Sequence, residues 1–246
     1  MTKFIAEIGL NHLGDKKILN RMIKNLVKKN IYGVSVQILE DSYYDNSRPF
    51  RKKIEFREYQ KISRILKKNK IRFGVATNNI ETIKKLKNIR IDFWKIISPQ
   101  FFNNDLIEIA LKTKKDVYLS CGIASTNDIY VKSKKYKKLK FIHTSFSEKI
   151  NDTNMLAINK IREKINKNIS FGLHSNLHQL IISAISLQVD KAFFYVKFND
   201  NKYYPDNQHA INLEDLKKNI LNWNKISISF GDGVKKREKL PKWVFE

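Results

Sequence analysis

The sequence predicts one closed α/β barrel, the (β/α)8 TIM barrel, as a single domain, and three observations carry that expectation. Short β-branched and aromatic runs of period 2 alternate along the chain with amphipathic stretches of helical period, and the alternation gives eight strand candidates. The length of 246 residues suits one such barrel. Neither GxGxxG nor a P-loop pattern follows the first apolar run, so an open doubly wound sheet lacks its main support.

The first strand is read at 3–10 (KFIAEIGL), and the periodic stretch 17–29 (KILNRMIKNLVKK) follows as a helix. The second strand, 33–39 (GVSVQIL), is separated by a helical pattern at 57–69 from the third, 72–77 (RFGVAT). A helix at 80–88 leads to the fourth strand, 93–98 (FWKIIS), and one at 104–112 to the fifth, 117–122 (VYLSCG). The sixth strand is 140–146 (KFIHTSF), and a helix at 152–165 precedes the seventh, 169–174 (ISFGLH). A last crossover, 177–188, reaches the eighth, 192–198 (AFFYVKF). Parallel strands need crossover connections, and eight such units in a chain of this length imply closure. The barrel is expected over 1–230, with a short basic tail, GDGVKKREKLPKWVFE, over 231–246.

Hydrophobic residues make up 42% of the chain, enough to fill a core and to exclude disorder. No run approaches the length of a membrane span, and the first residues lack the basic-then-apolar pattern of a secretory leader, so a cytoplasmic protein is expected. The single cysteine, Cys121, excludes an intrachain disulfide and a thiolate metal cluster, and reads as small and buried. A formal charge of +24 raises the question of nucleic acid. The basic residues recur on nearly every helical segment, as solvated outer faces require, and only 134–140 (KKYKKLK) is dense. Without a recognition motif or aromatic-basic interleaving, a nucleic-acid binder is not the expected class.

A barrel of this kind carries its chemistry at the C-terminal ends of its strands. There the sequence places Glu7, Asn11 and His12, Gln37, Lys95 and Ser98, Ser120, His143, His174 with Asn176, and Lys197. Glu7 and Lys95 each interrupt an apolar strand, where an ionised group is costly unless it is paired or used. Two lysines among hydroxyls and amides suit phosphate and carboxylate groups. His143 reads as a satisfied core residue, and Phe193, Phe194 and Tyr195 as barrel filling.

These residues resemble the N-acetylneuraminate (sialic acid) synthase family with its legionaminic and pseudaminic acid synthases. FIAEIGLNHLGD is similar to that family's AEIG-x-NH-x-G opening; GVSVQ, FWKIISPQFFNN, VYLSCGIAS, ISFGLHSN and YYPDNQHAINLEDL follow in the family's order. The resemblance implies condensation of phosphoenolpyruvate with the open-chain aldehyde of an N-acetylated hexosamine, giving a nine-carbon acidic sugar and phosphate for surface polysaccharide. It also implies a divalent ion such as manganese. Carried over by position, Glu7 acts near the enolpyruvate carbon and the attacking water. Lys95, Ser98 and Ser120 hold phosphate and carboxylate, Gln37 and Asn11 support the pocket, and Asp206 lies near the metal or the acceptor.

The departures are specific. The family's two metal-binding histidines fall on Asn176 and Lys197, and a protonated lysine cannot coordinate a cation. Ser35 replaces a lysine, Gln100 a glutamate, and His174 a serine; the family's C-terminal antifreeze-like domain is not expected within 1–246. Lys197 is therefore expected to supply positive charge or a proton to the developing alkoxide, with Asn176 hydrogen-bonding beside it. His174 is the other candidate, either catalytic or a replacement ligand together with His12 or His209. Two readings stay open: a synthase, and a degenerate barrel that binds a sugar, a phosphate ligand or a partner without turnover. Pairing of copies through outer helices stays open too, since no surface is singled out.

Overall fold

In the computed structural model, which describes residues 1–45, 52–147 and 149–234, the period-2 runs become eight parallel strands that hydrogen-bond in chain order. They are β1 (Lys3–Gly9), β2 (Gly33–Ile38), β3 (Arg72–Thr77), β4 (Phe93–Ile96), β5 (Asp116–Ser120), β6 (Lys140–His143), β7 (Ile169–Leu173) and β8 (Lys191–Lys197). β8 pairs back onto β1, with Glu7 opposite Tyr195, so the sheet closes. The crossovers carry α1 (Lys16–Val27), α2 (Phe56–Lys68), α3 (Ile80–Lys85), α4 (Asn104–Lys112), α5 (Thr126–Lys135), α6 (Ala157–Ile165) and α7 (Leu180–Ser186). After β8 a two-residue strand, β9 (Ile211–Asn212), lies beside Val196 and Lys197, and α8 (Leu216–Ser229) follows.

The alternation explains the two shells of core. Phe4, Ala6 and Ile8 of β1 face α8 and α1, and the outer shell of strand and helix side chains is buried throughout. Ile5, Phe93, Tyr118, Ile142 and Phe193 point the other way and fill the barrel floor. The rings of Phe93, Tyr118 and Phe193 meet edge to face, with centroids 5.4 to 6.3 Å apart. Gly74 is required here, because a β-carbon on it would sit 2.0 Å from the Phe93 ring. The loops at the opposite, C-terminal end are fixed by side-chain caps. Asp15, Asn79, Asn103 and Ser125 each accept from a backbone N–H in the first turn of the following helix.

Some boundaries move. The helix expected at 152–165 begins at Ala157, because a tight turn at Ile150–Thr153 ends in Asn154 at φ 41°. The sixth strand stops at His143, and α7 starts at Leu180, three residues inside its expected range. Phe194 packs on Trp223 of α8, 5.3 Å between centroids, rather than filling the barrel. Among the described residues no helix is long and apolar enough to cross a membrane. Of the expected tail, 235–246 lie outside the described residues.

Candidate active site

Inner-facing positions one layer above the aromatic floor are polar, and they converge on Glu7. Its carboxylate is 2% exposed, accepts from Lys95 Nζ at 2.6 Å and from Ser35 Oγ at 3.1 Å. Lys95 is 3% exposed, and its ammonium also lies 5.6 Å from the Phe193 and Tyr195 ring centres. The pairing follows from the fold, since β1 and β2 bring Glu7 opposite Ser35 while β4 contributes Lys95. A buried ion pair of this kind is poor stabiliser but a sound charge reservoir, because either partner becomes a strong electrostatic group when the other is engaged.

To one side stands a set of donors suited to an anion. Ser98 is buried in the short turn that follows β4, and its Oγ accepts from the Gly122 backbone N–H at 3.0 Å. Gly122 permits that approach, because a side chain there would strike the Phe146 ring at 2.7 Å. Ser120 is buried at the C-terminal end of β5. Gln37 follows Ser35 on the same face of β2 and is half-buried.

On the opposite side the loop after β8 folds over β1. Asn11 is completely buried, donates to Val196 O at 2.9 Å and accepts from the Asp206 N–H at 3.1 Å. Its amide therefore works as a strut that sets Asp206, rather than as an open substrate contact. Gly9, at φ 56°, leaves the space that Tyr195 and Asp206 occupy, since a β-carbon would stand 2.6 to 2.7 Å from both. Burial, and then the charge of Glu7, push the Asp206 carboxyl up to about 7.

Above this layer lies an open pocket of about 430 Å³, lined by Ser147, Thr153, His174, Asn176, Gln208 and His209 among others. His174 is wedged between Phe146, Tyr195 and His209, with ring centroids 5.0 to 5.4 Å away. Burial first, then Lys95 and His209, hold its pKa well below the usual imidazole value, and burial with Lys95 brings His209 to about 4. Asn176 is exposed on the rim. Lys197 is half-buried, and its ammonium donates to both oxygens of Asn207, the residue after Asp206.

These residues do not fit a divalent ion. Lys197 offers a cation where a ligand is needed, and Asn176 stands apart on the rim. The replacement set expected around His174 does not assemble either. The His174 and His209 rings lie 5.0 Å apart with their planes tilted by 35°, His12 Nδ1 accepts from the Gly14 N–H, and no three histidine, cysteine or carboxylate groups converge among the described residues.

The sequence reading missed three participants. Ser35, Tyr195 and the Gly122 N–H all touch the constellation. Tyr195 had a signal, because it shares strand parity with Lys197; the role of Ser35 needed the β1–β2 register. His143, in contrast, is satisfied as expected, 2.8 Å from Thr153 O.

Comparison with known proteins agrees with this architecture. The family model described as the NeuB family matches residues 17–235. The N,N'-diacetyllegionaminic acid synthase of Campylobacter jejuni is 20% identical, covering 97% of this chain and 80% of that protein. The pseudaminic acid synthase of Helicobacter pylori is 23% identical over 89% of this chain and 72% of its own length. The structure of the N-acetylneuraminic acid (sialic acid) synthetase from Leptospira borgpetersenii, in complex with citrate, superposes with a TM-score of 0.86 at 22% identity, covering 96% and 87% of the two chains.

Proposed function

The chain belongs to the NeuB family, and from that premise we propose that it joins phosphoenolpyruvate to the aldehyde of an N-acetylated hexosamine, forming a nonulosonic acid and releasing phosphate. The observation that carries the reading is the buried Glu7–Lys95 pair beside the Ser98 and Ser120 hydroxyls, with Ser98 held by the Gly122 N–H. The synthase names of its relatives support the same reaction class.

In this reading the phosphate and carboxylate of phosphoenolpyruvate are drawn to Lys95 and the two serines. Engagement of Lys95 by the anion frees Glu7, whose carboxylate then takes a proton from the water that attacks C2. C3 forms the bond to the aldehyde carbon, and the aldehyde oxygen becomes an alkoxide. Asp206, which carries a proton near neutral pH, and the Lys197 ammonium are the acids on that side of the site. Loss of phosphate from C2 closes the balance. Asn176 and His174 line the pocket that receives the acceptor. Among the described residues no cluster of histidine, cysteine or carboxylate groups suits a metal ion, so in this reading positive charge is supplied by the lysines. The reading also carries a cytoplasmic location, where phosphoenolpyruvate is made. The barrel is read as the catalytic unit, 1–230, with 231–246 as an appendage.

The test is phosphate release by the purified protein from phosphoenolpyruvate and a panel of N-acetylated hexosamines, with manganese or with chelator, and with product mass checked. Acceptor-dependent release that persists in chelator is expected. Replacement of both family histidine positions by Asn176 and Lys197 favours a second reading, a binding barrel without turnover. Absence of release with every acceptor, despite retained phosphoenolpyruvate binding, would establish that second reading instead.

A further inference from the structure

A concavity of about 960 Å³ lies at the other end of the barrel, beneath the N-terminal ends of β5, β6 and β7. Three successive helix-to-strand turns build its walls. The first supplies Lys114 and Lys115, the second Lys137 and Lys138, and the third Lys167. The second turn belongs to the one dense basic run of the sequence, 134–140. The fold divides that run: Lys135 reaches Glu108 on α4, Lys140 reaches Asp116, and Lys137 and Lys138 are left on the cleft.

The carboxylates that could neutralise this cleft are already engaged. Asp116 accepts from Arg72 at 2.9 Å and from Lys140 at 2.7 Å, and Asp190 is paired with Lys191. Arg162 is turned away to cap the Leu187 and Gln188 carbonyls. Lys167 Nζ is pinned at 2.8 Å to the Lys137 carbonyl, which holds two cation-bearing turns together. Among the described residues Lys114, Lys115, Lys137, Lys138 and Lys167 make no ion pair. Burial first, and then the neighbouring Lys137 charge, lower the Lys167 pKa.

From this geometry we infer that the cleft is a second binding site, distinct from the barrel mouth, for a compact ligand carrying two or more phosphate groups. Five lysines that make no ion pair among the described residues line one concave volume of small-molecule size, and phosphate oxygens are acceptors suited to their ammonium groups. The only apolar residues of the lining are Leu111 and Leu139, with no ring on which a nucleobase could stack. The chemistry recognised is therefore the phosphate chain, which inorganic polyphosphate and nucleoside polyphosphates share.

The experiment is calorimetric titration of the full chain with inorganic triphosphate, ATP and a single-stranded 12-mer at fixed moderate salt. It is repeated on Lys115→Ala/Lys138→Ala and on a control of equal net charge, Lys217→Ala/Lys218→Ala, whose lysines are exposed on α8. One triphosphate per chain is expected, weakened at least about ten-fold by the cleft variant and unchanged in the control, as the loss of two charge-assisted contacts implies. Tighter ATP than triphosphate binding, lost in the same variant, assigns the nucleotide as the source; equal binding assigns the phosphate chain alone. Equal weakening in both variants, no binding, or 12-mer binding that excludes triphosphate would each overturn the proposal. All four lysines are exposed, so circular dichroism is expected to show every variant folded.

Discussion

Glu7 and Lys95 stand out in the sequence because each is a charge within an apolar strand, and the structure joins them at 2.6 Å. What the sequence could not show is that they compensate each other, which changes the expected phenotype of a substitution. Glu7→Gln keeps a group that can accept from Lys95 but removes the base, so phosphate release should fall by roughly 10²–10⁴-fold. Lys95, no longer bound to a carboxylate, should hold phosphoenolpyruvate as well as before or better, which calorimetry measures. Unchanged turnover would remove Glu7 from the mechanism. Lys95→Ala leaves a lone buried carboxylate and should cost about 3–5 kcal/mol, enough to confuse any activity assay. Lys197 is a cleaner probe, since it is only half-buried and its partner Asn207 is neutral. Lys197→Ala is expected to lower kcat with little change in the urea midpoint; an unchanged kcat would make that lysine a tether for the 199–210 loop and nothing more.

At the level of elements, period 2 and β-branching place every strand start within one residue, whereas the fourth and fifth strands end two residues short of the reading and the sixth three. The ends of the helices expected from period lie within two residues of the reading except at α3, while α6 and α7 begin five and three residues late, and the turns into β2, β3, β5, β7 and β8 carry a feature that period does not show. Each contains a non-glycine residue in left-handed conformation: Asn30, Lys70, Lys114, Asn166 and Gln188. A glycine would have announced these turns, and lysine does not. After α2 the Ile71 N–H reaches Leu66 O and the Lys70 N–H reaches Lys67 O, each at 3.0 Å, with Ile71 buried beneath. The turn is thus held by its hydrogen bonds and its apolar staple in spite of the β-carbon at Lys70. Lys70→Gly should relieve about 1–2 kcal/mol of left-handed strain and return part of it as backbone entropy, for a net gain of about 0.5–1 kcal/mol. Thermal or urea unfolding would register it; a loss of stability would mean that the lysine stem contributes packing there. The late start of α6 has the same origin, since Asn154 turns left-handed where periodicity alone continues the helix.

For the whole molecule, the site's polar layer lies inside the barrel, and the titration of buried groups is the cost of putting it there. All five histidines have pKa values held below 6.5, chiefly by burial, with His12 and His209 brought to about 4. The unfolded chain protonates these rings near 6.5 and the folded chain does not, so between those values unfolding takes up protons. Their stabilising contribution is complete above pH 6.5 and is lost progressively as pH falls toward 4. Asp206 works in the opposite direction: with its pKa raised to about 7, its folded form holds a proton that the unfolded chain releases above about 4, so it favours the fold at low pH and opposes it as pH passes 7. One carboxyl set against five imidazoles leaves a net loss of stability on acidification below pH 6.5. His12 is the residue to change, because its Nδ1 accepts from Gly14 N–H and its ring is 2% exposed, away from the acceptor pocket. Asparagine presents an acceptor at the same place without a titrating ring. His12→Asn should therefore lessen the fall in unfolding free energy between pH 7 and pH 5 by about 2 kcal/mol. Urea titrations of both proteins at the two pH values decide it, and parallel losses would place the acid sensitivity elsewhere in the barrel.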